Sequence, residues 1–180
     1  MIFDPLPIAG AFEVRLEPRR DARGLFSRVY CDDEFGAEGL VTDWVQMNVS
    51  VTIGQGTIRG LHFQAGPVPE AKLVRCLKGR AHDVILDLRS GSATFGRHAA
   101  ITLDAEDRNS VYVPPGVAHG FQTLTTDVEL QYLHSARYAP DHEGGVDALD
   151  PALGLDWPLP PAMRSDRDRN LPPLAEVDPL

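Results

Sequence analysis

Gly54, Gly56, Gly79, Gly91, Gly96 and the pair Pro114–Pro115 cut the middle of this chain into short runs that lack helical periodicity. Turn residues at that spacing, between apolar runs rich in β-branched side chains, predict a sandwich or barrel of short strands. The expected strands are Gly10–Leu16, Leu25–Tyr30, Trp44–Val51, Thr57–Phe63, Ala71–Leu77, Ala81–Leu88, His98–Leu103, Ser110–Val113, His119–Leu124 and Val128–Ser135. One short helical turn is expected at Asp32–Ala37, with Asp32 as its cap. There is no βαβ alternation, no Gly-rich phosphate loop and no internal repeat, which argues against a doubly wound nucleotide fold.

The chain changes character after residue 149. Seven of its 15 prolines lie beyond residue 150, and proline cannot donate to a β-ladder. Residues 1–149 are therefore expected to form the barrel. Residues 150–180 should form a Pro-rich tail of the same domain, packed through Leu153, Leu155, Trp157, Leu171 and Leu174.

Composition narrows the partners. A formal charge of −9 over 180 residues disfavours nucleic acid, which is bound through Lys and Arg. A local cationic cluster still suits one small anion. Cys31 and Cys76 are single and far apart, so no CxxC site or disulfide framework is expected. The start, MIFDPLPIAG, does not read as a signal peptide, and no apolar run is long enough to cross a bilayer. The expected compartment is the cytoplasm.

Two segments carry chemistry. Val113–Phe121 places a Pro-Gly turn before a strand bearing His119, a pattern similar to cupin jelly-roll barrels. Arg59-Gly60-Leu61-His62-Phe63-Gln64 is the second, with Lys72 following. Straight strand alternation puts Gly60, His62 and Gln64 on one face and Arg59, Leu61 and Phe63 on the other. Metal-binding cupins have His-x-His, a Glu and a later His where this chain has His62, Gln64, Lys72 and His119. An ammonium does not belong in a divalent-cation shell, so no metal and no cofactor are expected. A His and a Lys in such a pocket suit proton abstraction with oxyanion stabilisation.

The order of motifs resembles the dTDP-4-dehydrorhamnose 3,5-epimerase family. It is carried by Asp21-x-Arg23-Gly24-x-Phe26, Gln46-x-Asn48-x-Ser50, Arg59–Gln64, Lys72–Arg75, Asp83–Arg89, Gly91–Gly96 and Pro114–Phe121. Tyr132, Tyr138-Ala139-Pro140, Glu143, Asp150-Pro151, Trp157-Pro158 and Ser165-x-x-Asp168 complete it. The resemblance implies a cupin-type jelly-roll β-barrel acting on a 4-keto sugar linked to a nucleoside diphosphate. His62 would be the base, with Asp168 holding it, Tyr132 the proton donor and Lys72 the enolate's support. Arg23, Phe26, Gln46, Asn48, Arg59, His119, Glu143 and Arg167 would contact the sugar nucleotide, and Tyr138 would stack on the base. It also implies a homodimer with exchanged N-terminal strands.

Three positions depart from the family pattern. Arg28 stands where the family has an acid that meets the base, Arg167 replaces a Lys, and Gly145–Leu149 lacks bulkier polar and aromatic residues. Arg has donors and no acceptor. If Arg28 reaches the base it disfavours thymine and suits cytosine or guanine; otherwise it turns to a neighbour such as Asp32 or Asp33. The alternatives are a single-centre 3- or 5-epimerase for a GDP- or CDP-linked sugar, and a non-catalytic sugar-binding cupin. A metal-dependent oxygenase is disfavoured by Lys72. His82, His98, His134 and His142 read as structural or exposed, and Asp83 and Asp87 as turn or ion-pair residues, with Asp83 near the pocket.

Overall fold

The computed structural model describes residues 1–180. Its first seven strands are β1 (Ile2–Pro5), β2 (Phe12–Arg15), β3 (Arg19–Asp21), β4 (Gly24–Phe26), β5 (Gln46–Ile53), β6 (Ile58–Gln64) and β7 (Lys72–Lys78). The rest are β8 (Arg80–Asp87), β9 (His98–Asp104), β10 (Ser110–Val113), β11 (Val117–Thr123), β12 (Asp127–His134) and β13 (Glu143–Gly145). One sheet runs β1-β2-β10-β7-β12-β5 and a second runs β13-β6-β11-β8-β9, while β3 and β4 form a separate hairpin. Helix is confined to α1 (Asp32–Ala37), α2 (Asp166–Arg169) and three single 3₁₀ turns. The protein is all-β.

Strand alternation assigns each core its layer. Between the two large sheets lie Val74 and Cys76 of β7, Val111 and Val113 of β10, and Leu130 of β12. They meet Ile85 of β8, Leu103 of β9 and Phe121 of β11. The alternate residues Val84 and Leu86 of β8 turn outward, joining Ile58, Leu61, Ala118 and Val146. β8 is thus buried on both faces from Asp83 to Asp87, with Val84, Ile85 and Leu86 as its apolar centre. The outer face of the other sheet receives Phe35 of α1, packed with Val14, Leu73 and Tyr112.

Chain beyond residue 150 covers the second core. Leu153 is buried there, and Leu155, Trp157 and Leu174 pack against it. Trp157 Nε1–H donates to the Ala148 carbonyl at 2.8 Å, Met163 bridges to Thr57, and the Leu180 N–H donates to the Leu88 carbonyl at 2.7 Å. This path carries α2 onto β6.

Several boundaries differ from the sequence expectation. The strand expected at Leu25–Tyr30 shrinks to Gly24–Phe26, because it pairs only with the three residues of β3. β1 is not among the expected strands; it lies at the sheet edge, where the donor that Pro5 lacks is not needed. Cys31, not Asp32, occupies the cap position of α1, and no side chain caps it. No helix is long and apolar enough to cross a membrane.

Candidate active site

A cavity of about 720 Å³ is lined by β5, β6, β7, β11, β12 and α2, and it gathers most of the chemically able side chains. A bulge in β6 shapes it. His119 pairs with His62 and Phe121 with Arg59, so three steps on β6 match two on β11. The extra residue turns Arg59 and His62 to the same cavity, although straight alternation separates them. Gly60 sits inside the bulge at φ 97°. A Cβ there would lie 2.6 Å from the His119 carbonyl oxygen and 2.8 Å from the Gly120 Cα, so glycine is what lets β6 and β11 close.

His62 Nε2 lies 2.7 Å from Asp168 Oδ1. The carboxylate comes from α2, where Ser165 Oγ accepts the Asp168 N–H at 3.0 Å and caps the turn. The Gly60 N–H donates to the other oxygen, Asp168 Oδ2, at 3.3 Å. Burial alone would raise the Asp168 carboxyl, but the hydrogen bond and charge of His62, with Gly60 and Ser165, hold it below its ordinary value.

His119 repeats this arrangement, with Nε2 2.7 Å from Asp83 Oδ2 and both side chains buried. Tyr132 hangs its ring among imidazoles. His119 meets it edge-on at 6.0 Å, and His134 stacks on it at 5.9 Å with 17° between planes. Its hydroxyl is 3.3 Å from Ser50 Oγ. Burial raises the phenol above its ordinary value, so it keeps its proton at neutral pH. Lys72 Nζ lies 3.2 Å from Glu70 Oε2 and 3.5 Å from the His62 carbonyl oxygen.

The rim is more exposed. Tyr138 O–H donates to Glu143 Oε2 at 3.0 Å, and Arg167 pairs with that oxygen at 2.9 Å. Gln46 Oε1 accepts the Tyr138 N–H at 3.3 Å, and Asn48 Nδ2 is 3.4 Å from His134 Nε2. Arg59 Nε–H donates to Thr52 Oγ1 at 2.9 Å.

Eleven of the expected residues thus meet in one cavity: His62, Tyr132, Asp168, Lys72, Gln46, Asn48, Arg59, His119, Tyr138, Glu143 and Arg167. Three do not. Arg23 pairs with Asp21 of its own hairpin at 2.6 Å, and Phe26 is exposed beside it. Arg28 gives its guanidinium to Glu34 Oε1 at 2.6 Å, neither to this cavity nor to Asp32 or Asp33. A base-reading role for Arg28 finds no support in that contact.

The four positions compared above with a metal site are committed elsewhere. His62 faces Asp168, His119 faces Asp83, Lys72 faces Glu70, and the Gln64 amide donates to the Val68 and Arg137 carbonyls at 3.0 and 3.1 Å. An ammonium and an amide beside two engaged imidazoles do not suit a divalent cation.

Sequence reasoning missed Glu70 and His134, and it read His134 as structural or exposed. Both line the cavity, with His134 Nδ1 2.8 Å from Glu70 Oε1. The signal was present: His134 stands two residues after Tyr132 on one strand and so shares its face. Asp83 supports His119 from behind, and Ser50 adds a hydroxyl beside Tyr132.

An imidazole backed by a carboxylate, a protonated phenol and a buried ammonium around one cavity define an all-β acid–base enzyme. A sequence model of dTDP-4-dehydrorhamnose 3,5-epimerase matches residues 5–176, and the chain belongs to that family. It is an isomerase of the epimerase type. It is 43% identical over 174 residues to the dTDP-4-dehydrorhamnose 3,5-epimerase of Mycolicibacterium smegmatis, covering 96% of this chain and 85% of that one. The crystal structure of dTDP-4-dehydrorhamnose 3,5-epimerase from Elizabethkingia anophelis superposes with a TM-score of 0.95 at 35% identity, covering 99% of this chain and 98% of the other. ChmJ, a 3'-monoepimerase from Streptomyces bikiniensis in complex with dTDP-quinovose, gives 0.87 at 39% identity over 95% and 87%.

Proposed function

We propose that this chain epimerises a dTDP-linked 4-keto-6-deoxy sugar at C3 and C5, using side chains alone. The observation that carries the reading is the His62–Asp168 pair sharing one cavity with Tyr132 and Lys72. A 4-keto group acidifies the hydrogens on both neighbouring carbons. His62 takes one of them as a proton while Asp168 supports the resulting imidazolium, and the electron pair moves to the ketone oxygen, where Lys72 stabilises the enolate. Tyr132 then donates its proton to the opposite face of the carbon and inverts it. Water restores the phenol.

Arg167 and Arg59 suit the diphosphate, because guanidinium binds such oxygens through paired donors. With Arg28 engaged by Glu34, thymine is the base we assign, stacked on the exposed ring of Tyr138. The fold we assign is a cupin-type jelly roll, in which the tail from residue 150 belongs to the same domain because it supplies Asp168. We further propose a homodimer. β5 is a sheet edge whose outward residues Met47, Val49, Val51 and Ile53 are 64, 55, 56 and 71% exposed, a long apolar edge of the kind that seeks a partner. On the same face, Arg75, Gln131 and Val49 stand in one cross-strand row, and Arg75 Nε is buried without a partner. In the dimer, the hairpin bearing Arg23 and Phe26 reaches the neighbouring cavity.

The test is incubation with dTDP-4-dehydro-6-deoxyglucose in deuterated water, with deuterium located at each carbon. Label at C3 and C5 of the inverted product is expected, and His62→Ala should reduce it by ~10²–10⁴-fold or more. Label at C3 alone would make this a single-centre enzyme; wild-type exchange in His62→Ala would end the assignment of the base.

A further inference from the structure

Glu70 stands between two groups of the cavity that belong to different strands. Its Oε1 lies 2.8 Å from His134 Nδ1 on β12, and its Oε2 lies 3.2 Å from Lys72 Nζ on β7. The three side chains are only 8, 12 and 11% exposed in the order Glu70, His134, Lys72. Two paired contacts on one buried carboxylate fix its position, and with it the positions of both partners. His134 passes this constraint on, since its ring lies almost parallel to that of Tyr132, while His119 closes on Tyr132 edge-on from another strand.

Burial would raise the Glu70 carboxyl, but the His134 hydrogen bond and the Lys72 charge hold it below its ordinary value. It therefore remains an anion wherever the enzyme is assayed near neutrality. No sugar-binding role is assigned above to Glu70 or His134, although His134 Nε2 also lies 3.4 Å from Asn48 Nδ2, and the motif pattern that relates the chain to its family includes neither.

We propose that Glu70 and His134 are positioning residues, a bridge that holds the Lys72 ammonium and the Tyr132 phenol in register with each other. The enolate support and the proton donor then meet the same substrate carbon and oxygen together. This inference rests on the roles given above to His62, Lys72 and Tyr132.

Its consequence lies in how the enolate divides. Once His62 has taken the proton, the electron pair resides on the enolate oxygen, and two fates compete. His62 returns a proton, exchanged with solvent, to the face it came from, and the original C–H bond re-forms without inversion. Alternatively the Tyr132 O–H bond breaks, a C–H bond forms on the other face, and the phenolate is reprotonated by water. Loosening Tyr132 slows the second fate without touching the first.

The experiment compares initial rates in deuterated water with dTDP-4-dehydro-6-deoxyglucose for the wild type, His134→Ala and Glu70→Gln. The quantity read is the ratio of label in recovered substrate to label in inverted product. That ratio is independent of how much of each preparation is folded, so a merely structural loss does not move it. It should rise about tenfold or more in both variants, the scale on which small misplacements of a reacting group act. An unchanged ratio in either variant overturns the bridge, whatever happens to the total rate. A wild type that shows no exchange would instead end the epimerisation chemistry itself, so the two failures are distinguishable.

Discussion

Asp87 and Asp168 are both buried carboxylates held below their ordinary value, and their partners separate their jobs. Asp87 receives Arg89 Nε–H at 2.8 Å, Arg89 Nη2–H at 2.7 Å, Ser92 O–H at 2.7 Å and Thr94 O–H at 2.6 Å. Burial opposes its charge, and these donors outweigh the burial. Every partner lies between Asp87 and Thr94, so this carboxylate locks a turn, as its sequence context suggests. Asp168 instead reaches across the fold to His62. Depressed carboxyls stabilise the folded state above their ordinary value of 3.8 and lose that contribution as pH falls through the lower folded value. Asp87→Asn should therefore lower stability at neutral pH and flatten the acid limb of unfolding below about pH 4, read by denaturation at several pH values. Its turnover per folded chain should be unchanged. Asp168→Asn should leave residual turnover, reduced by ~10²-fold or more, with an altered pH profile. If the two substitutions have interchangeable effects on rate, the division of labour drawn from their partners is wrong.

At the scale of elements, the β6–β11 contact decides the site. Both strands approach closely because Gly60 and Gly120 oppose each other without side chains. Gly60→Ala would force a Cβ against backbone at a positive φ, where alanine is strained. The expected loss is about 3 kcal/mol or more, measured by chemical denaturation, with the His62–Asp168 alignment disturbed as well. A near-neutral result would mean that the strands can separate without penalty. This contact also marks where the sequence stopped being readable. Ser110–Val113 appears with its expected bounds, and β8 and β9 nearly so, because apolar runs between turn glycines declare themselves locally. The bulge that places Arg59 beside His62 does not, since strand alternation carries no mark of an added residue. Likewise Glu70 contacts His134 across 64 residues, a distance no local pattern spans. Most of the cavity was legible only because motif order supplied what periodicity could not.

For the whole molecule, the question is what covers the edge at β5. The chain carries −9, a charge that discourages nonspecific association, yet four apolar side chains alternate along an edge strand that pairs on one side only, with β12. Arg23 and Phe26 sit on a hairpin that makes no contribution to the cavity of its own chain. The proposed second copy would answer both observations, covering the apolar edge and bringing the hairpin to a neighbouring cavity. Val51→Glu tests this, because it places a carboxylate on the proposed interface, where burial without a partner is costly. The outward exposure of Val51 should leave the isolated fold intact, which circular dichroism would verify. Sedimentation should find the wild type as a dimer and Val51→Glu shifted toward monomer. Turnover per chain should fall with dissociation, since Arg23 would no longer reach substrate, and raising the protein concentration should restore part of it. A monomeric wild type with full turnover would overturn the dimer. Dissociation without loss of turnover would keep the dimer but remove the hairpin from the site, leaving Arg59 and Arg167 to hold the diphosphate.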